Sequence, residues 1–366
     1  MTNQSLQLPP PDPGLLCEGD NLPILQALSN DPSIHGHVRL VYIDPPFGTG
    51  QNFTASPKRT ATISRSNNGH IAYGDMFTGE AYLDFLRPRL ELMRDILATD
   101  GSIYVHTDCK MGHYMKVLLD SIFGANNFRN DITRIKCNPK NFQRYGYGNI
   151  KDMILFYSKG SHPVWNTPRD PFSKEDIERL FPKIDADGRR YTTTPLHAPG
   201  ETMNGPSGDE WKGMKPPPGR HWRSVPSALT ELDEAGLIEW SPTGNPRKKI
   251  FANEVASVGK FRQDIWNFKD PQYPRYPTEK NLDMLRVIVG ASSNPGDLVM
   301  DAFCGSGGTL IVAQEMGRKW IGVDNSPVAI SICRERLAVT QEVLPESSQG
   351  DSRSLGKTRR PERIVG

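Results

Sequence analysis

The run Leu298-Val299-Met300-Asp301-Ala302-Phe303-Cys304-Gly305-Ser306-Gly307-Gly308-Thr309 passes from apolar strand to glycine loop. Leu298 to Asp301 reads as the strand, set off by the turn signal Asn294-Pro295-Gly296-Asp297. Thr309 to Met316 reads as a helix. Strand, glycine loop and helix make the nucleotide-binding turn of a doubly wound sheet. Trp320 to Val323 is the next expected strand, and Asp324 ends it, 23 residues beyond Asp301. That is near the ~20-residue spacing at which a carboxylate meets ribose hydroxyls. Gly305 and Gly307 are in place, but a third fingerprint glycine would fall at Leu310. A Lys-Ser/Thr pair for phosphates is also absent from the loop, so the turn points to a nucleoside rather than a diphosphate.

Outward from this loop, the second informative stretch is Asp44-Pro45-Pro46-Phe47, after the apolar run Val38 to Ile43. Each proline fixes its φ and lacks an N–H, so the backbone is stiff while its carbonyls still accept hydrogen bonds. Asp44 adds an acceptor, and Phe47 offers a ring on which a flat group can stack. Such a pocket suits an exocyclic amino group on a planar heterocycle. Taken alone, either stretch also fits an ordinary turn after a strand.

Together and in this order, the two motifs resemble the amino-methyltransferases of DNA. With the tetrad N-terminal to the loop, the order is that of the circularly permuted beta group. That group includes type II adenine-specific enzymes and the modification subunits of type III restriction systems. Further segments are similar to the family: Glu18-Gly19-Asp20-Asn21, Asp44 to Gly50, Tyr82 to Asp108, Ile150 to Lys159 and Pro277-Thr278-Glu279-Lys280. Here Phe47 and Gly48 replace the family's Tyr and Asn, and Tyr276 and Glu279 replace its His and Gln.

The resemblance implies an α/β, Rossmann-like methyltransferase sheet, circularly permuted, with an irregular insertion for target recognition. It implies catalysis by Asp44, Pro45, Pro46 and Phe47. It also implies S-adenosylmethionine held by Asp20, Thr278, Asp301, Phe303, Gly305, Gly307, Thr309 and Asp324. The expected reaction is methylation of the adenine N6 amine in duplex DNA, with the base flipped out. Cytosine N4 is the alternative, since both amines present two N–H groups. RNA or a protein amide as substrate, and a DNA-binding module without catalysis, stay open behind it. A nicotinamide dehydrogenase would leave the tetrad without a task.

Composition is consistent with this reading and decides little. The chain has 366 residues and a net charge of +2, so no global field announces nucleic acid. Its length suggests roughly two domains. No apolar run approaches the ~20 residues of a membrane span. The N-terminus does not read as a signal peptide. Five cysteines without Cys-x-x-Cys spacing favour free thiols in a reducing cytoplasm, and no metal site is expected. No Cys follows a proline, so the Pro-Cys chemistry of cytosine C5 methylation is unsupported. A homodimer and a restriction subunit are both compatible with the resemblance.

The expected organisation is a tail at 1–13, a catalytic half at 14–160, a recognition insertion at 161–259, a cofactor half at 260–340 and a disordered tail at 341–366. Asn21 is the expected cap of a short helix before the Val38 strand. A helix over Ala81 to Ala98 should kink or restart at Pro88. The insertion holds Trp165, Trp211, Trp222 and Trp240 among prolines and glycines. Arg220, Arg223, Arg247, Lys248 and Lys249 are its candidates for DNA contacts. Two other basic stretches are candidate DNA contacts. Gln51 to His70 carries Lys58, Arg59 and Arg65, and should be a mobile loop that orders on substrate. Arg129 to Lys151 carries Arg134, Lys136 and Arg144, with Phe142, Tyr145 and Tyr147 interleaved.

Overall fold

The computed structural model describes residues 11–46, 52–55, 70–74, 79–139, 145–202, 205–242, 244–274, 276, 279–343 and 363–365. Phe47, Lys58, Arg59, Arg65, Phe142, Arg144 and Thr278 lie outside the described residues. The chain divides into two compact units, one of 1–168 with 263–366 and one of 169–262.

The first unit is built on a nine-stranded sheet. Its strands are β1 (Gly14–Glu18), β2 (Val38–Ile43), β3 (Leu97–Thr107), β4 (Phe128–Ile135), β5 (Lys151–Ser158), β6 (Ile265–Asn267), β7 (Leu298–Asp301), β8 (Lys319–Asp324) and β9 (Arg363–Val365). Their order is β6-β4-β5-β3-β2-β7-β8-β1-β9, and only β5 runs antiparallel to its neighbours. Strands buried on both faces read as apolar runs, as β2 does apart from Arg39 and β7 does up to Asp301. Side-chain alternation sends Leu15, Val41, Ile43, Ile103 and Val105 to one face, and Leu16, Leu40, Tyr42 and Tyr104 to the other. The first face is covered by α1 (Asn21–Asn30), α2 (Glu80–Ile96) and α3 (Gly112–Phe123). The second is covered by α4 (Leu282–Ser292), α5 (Gly308–Glu315) and α6 (Pro327–Val343). Helices on both faces of a mostly parallel sheet make this a doubly wound, Rossmann-like α/β unit.

Several local expectations change. The cap of α1 is Asp20, whose carboxylate accepts from the Leu22 N–H at 3.0 Å, and Asn21 is already helical. α2 continues through Pro88 as one helix, so the restart of the two expected outcomes does not occur, with Tyr82, Leu86, Leu90, Met93 and Ile96 buried. Burial of that stripe offsets the one backbone hydrogen bond that proline removes. Asn52–Ala55 pairs with His70–Gly74 as an antiparallel ribbon at the two ends of the stretch expected to be a loop, of which 56–69 lie outside the described residues. β9, in the tail expected to lack structure, pairs in parallel with β1.

The second unit has a four-stranded sheet of Lys183–Ile184, Arg190–Pro195, Ile238–Trp240 and Pro246–Phe251. Leu196, Trp211, Trp222, Leu229 and Ile238 form its small core. Trp240 stacks on Trp211 with centroids 5.7 Å apart. So Trp211 and Trp222 are core residues rather than surface readers. Trp165 belongs to the first unit, where it stacks on Phe156. Among the described residues no helix is long and apolar enough to cross a membrane.

Candidate active site

The carboxyl ends of β2, β7, β8 and β1 lie side by side, because these strands are neighbours in the sheet. α2 packs on one face of the sheet, and α5, which follows β7, packs on the other. The crevice at such a switch point is where an open α/β sheet binds ligands. A cavity of about 570 Å³ opens there. Asp20, Tyr42, Asp44, Pro46, Phe303, Gly305, Thr309 and Asp324 line it, with Arg89, Tyr276, Glu279, Lys280 and Ser326. Pro45, between Asp44 and Pro46, is buried.

The glycine loop is organised by two acids. Asp301, at the end of β7, accepts from Thr309 Oγ1 at 2.7 Å and from the Phe303 N–H at 3.1 Å. Thr309 therefore spends its hydroxyl on Asp301. Asp324, at the end of β8, accepts from the N–H groups of Gly305 at 2.8 Å and Ser326 at 2.9 Å. Burial raises the Asp324 carboxyl above its ordinary range. Gly305 takes a φ of +51° and Gly307 one of +80°. The second glycine has a reason that the sequence did not reveal. A Cβ there would sit 2.3 Å from Cys333 Sγ on α6, so Gly307 serves helix packing.

Burial pushes the Asp301 carboxyl up to about 7, with Asp44 and Asp324 adding to the shift. An acid whose folded pKa lies above its unfolded value of about 3.9 stabilises the fold fully below that value. Its contribution is lost as pH rises towards the folded pKa. The stability of Asp301→Asn relative to wild type should thus increase between about pH 4 and pH 7. Urea unfolding across that window checks this, and a pH-independent difference would contradict it.

On the β1 side, Arg89 is buried and spends its guanidinium on three partners. Nε donates to Asn21 Oδ1 at 2.6 Å, Nη1 to the Phe85 carbonyl at 2.7 Å and Nη2 to Asp20 at 2.8 Å. Asn21 in turn donates to the Ala302 carbonyl at 2.8 Å, tying α1 to the loop after β7. On the β2 side, Lys280 Nζ pairs with Asp44 Oδ2. Asp44 Oδ1 is buried and has no hydrogen-bond partner among the described residues. Tyr42, beside Asp44, leads away from the cavity into a buried polar chain. Its hydroxyl donates to His106 Nδ1 at 2.9 Å, and His106 Nε2 meets Asp152 at 3.3 Å. Burial lowers the His106 pKa, opposed by the hydrogen bond to Asp152, and because a carboxylate only accepts, Nε2 carries the proton towards Asp152.

Of the residues expected at DNA, Arg134 is corrected. It is fully buried, with Nε on the Phe268 carbonyl at 2.8 Å and Nη2 on Asp270 at 2.5 Å. A guanidinium held this way is an internal strut. Lys136 is part-buried and pairs with Asp152 at 2.7 Å. In the second unit Arg220 meets His197 at 3.2 Å and Arg223 donates to the Pro195 carbonyl at 3.2 Å. Arg247 is bonded to Thr193, Lys249 donates to the Gly236 carbonyl, and Lys248 is exposed. Arg89 and Tyr42 had no local signal in the sequence. Each is placed only by what it touches across the fold.

Comparison with known proteins identifies the family. The family N6_N4_Mtase, described as DNA methylase, matches residues 38–335. The chain is 47% identical over 307 residues to the type II methyltransferase M.EcaI of Enterobacter cloacae, covering 82% of this chain and 65% of that protein. It is 38% identical over 302 residues to the type II methyltransferase M1.MboII of Moraxella bovis, covering 78% and 84%. It is 24% identical over 328 residues to the type III restriction-modification enzyme StyLTI Mod subunit of Salmonella typhimurium, covering 81% and 49%. The chain thus spans just under two-thirds of the first of these relatives and about half of the third. With most of its length matched, from β2 into α6, the chain belongs to the N6_N4_Mtase family of DNA methylases.

Proposed function

We propose that this chain transfers a methyl group from S-adenosylmethionine to the N6 amino group of adenine in duplex DNA. The observation that carries this reading is the buried, unpartnered Oδ1 of Asp44 on the cavity wall. A buried acceptor without a donor is costly, and a donor supplied by substrate relieves it. An exocyclic amine brings that donor. The neighbouring Pro45 carbonyl is the acceptor for the second amine N–H. Two such bonds draw the nitrogen out of conjugation and expose its lone pair.

The other end of the cavity fits the cofactor. Asp324 and Asp20 are acids suited to hydroxyl and amine groups, Phe303 and Val328 supply apolar wall, and the loop over Gly305 brings backbone close. Bound S-adenosylmethionine would supply an activated sulfonium methyl. The protein's part is then alignment and electrostatic stabilisation, with no covalent enzyme intermediate. Because a duplex hides the amine, the base must leave the stack to reach Asp44. The exposed Lys248 and the solvent-facing Tyr145 and Tyr147 are the described residues we assign to DNA contact.

The test is product analysis. The protein is incubated with mixed-sequence duplex DNA and labelled S-adenosylmethionine, and nucleosides are identified by mass spectrometry after digestion. N6-methyladenine is the expected product. N4-methylcytosine would transfer the reading to the other amine, and unmethylated DNA would overturn it.

A further inference from the structure

Segment 193–197 of the second unit gathers three guanidinium groups. Arg247 donates from Nε to the Thr193 hydroxyl at 2.8 Å and from Nη2 to the Thr193 carbonyl at 2.9 Å. Arg223 donates from Nε to the Pro195 carbonyl at 3.2 Å. Arg220 donates from Nη1 to His197 Nδ1 at 3.2 Å. Strand pairing produces the convergence. His197–Pro199 and Arg220–Trp222 form an antiparallel ribbon, and Arg247 and Lys248 lie opposite Pro195 and Thr194 in the four-stranded sheet. Arg220, Arg223 and Lys248 are exposed, and His197 and Arg247 are half-buried. Elsewhere in this unit cations meet acids, as in Lys183–Glu239, Arg189–Asp185 and Lys212–Asp233. Among the described residues Arg220, Arg223, Arg247 and Lys248 form no ion pair. Cations brought together without an acid repel one another, and a bound anion relieves that repulsion. A positive patch on one face is the electrostatic footprint of nucleic acid.

We propose that this cluster holds a phosphate of the DNA backbone and that His197 takes up a proton when the phosphate binds. This rests on duplex DNA as the substrate. In the empty site Arg220 donates to Nδ1, so the ring is neutral and its proton sits on Nε2. Burial, then Arg220, Arg223 and Arg247, hold the His197 pKa below its ordinary value. Those three arginines are the charged groups that face the ring. On the same ribbon Glu201 is bonded at the other end, to the Gly219 N–H at 2.9 Å, and His221 Nδ1 meets the Gly200 carbonyl at 2.7 Å. A phosphate set among the guanidinium groups offsets their field at the ring and favours the imidazolium. Protonated Nδ1 is a donor, so it leaves Arg220 for a phosphate oxygen. The filled site therefore has a higher His197 pKa than the empty one, and DNA affinity rises as pH falls between the two. The contact is to backbone, so it fixes position and carries no sequence information.

The experiment is calorimetry of the full chain with a short mixed-sequence duplex, in buffers of different ionisation enthalpy, from about pH 5 to pH 8. Wild type should take up as much as about one proton more than His197→Gln, with the difference greatest between the two pKa values. Anisotropy titrations over a range of salt test the anion. Arg220→Ala and Arg223→Ala should each lower the slope of log affinity against log salt by about 1, uniformly across duplex sequences. The near-UV signal of the Trp211 and Trp222 core controls for folding. Equal proton uptake by wild type and His197→Gln overturns the role of His197, and unchanged salt slopes overturn the phosphate site. Should His197→Gln lose the tryptophan signal, the wild type decides alone, and binding without proton uptake overturns that role. A wild type that does not bind duplex would instead mean that the function reading has failed, and this inference with it.

Discussion

Asp44→Ala should lower the single-turnover rate of methyl transfer by at least about 10²–10³-fold, the usual cost of removing one well-placed hydrogen-bonding group from a reacting centre. The substitution removes the acceptor Oδ1 and also the counter-ion of Lys280. Equilibrium binding of S-adenosylmethionine should change little, because the acids nearest the glycine loop are Asp301 and Asp324. A rate loss without a binding loss marks an interaction made mainly in the transition state. The check is rapid-quench kinetics at saturating duplex and cofactor, alongside calorimetry. A variant that keeps its rate would remove Asp44 from the chemistry, and a variant that loses cofactor would show the site is one coupled unit.

The second large effect is on stability. Asp152 lies buried at the meeting point of His106, Arg134 and Lys136. Removing it leaves the buried Arg134 with less compensation and Lys136 with no carboxylate at 2.7 Å. Breaking a buried ion pair by deleting one partner costs about 3–5 kcal/mol. Asp152→Ala should therefore lose about that much in urea unfolding, and a loss below about 1 kcal/mol would refute the role. The pH dependence has a definite sign. Burial alone would raise the Asp152 carboxyl, but hydrogen bonds from His106 and Lys136 hold it well below the usual range. An acid with a depressed folded pKa gives its full stabilisation above the unfolded value of about 3.9. The gap between wild type and variant should shrink as pH falls below that value. Tyr42 ties this network to the cavity wall through His106, so the variant should also slow the reaction.

The elements nearest the chemistry were legible because their signals are local. The apolar run before Asp44 and the one before the glycine loop became β2 and β7. Turn residues at Asn294 to Asp297 and the spacing to Asp324 marked the ends of neighbouring elements. Less was legible where long-range packing overrode a local rule. α2 does not restart at Pro88, because its apolar stripe is buried along its length. Asp20 rather than Asn21 caps α1, because Asn21 is drawn inward to Ala302 and Arg89. The basic and aromatic texture of the insertion suggested a reading surface, yet two of its tryptophans fill a core.

By itself the sequence determined the α/β character, the two motif-bearing loops and the acids at strand ends. Periodicity, proline and glycine act over a few residues, and those features need nothing more. The tertiary structure alone decided which distant groups meet. Asp44 and Lys280 pair across most of the chain because β2 and β7 are adjacent in the sheet and α4 packs on the same face. Arg134 is an internal strut because β4 and β5 lie side by side and Asp152 faces it, which no local pattern encodes. Gly307 is required by a thiol on α6 that lies outside its own motif. Charge and residue type can be read along the chain, but a side chain's partner is set by strand order and burial.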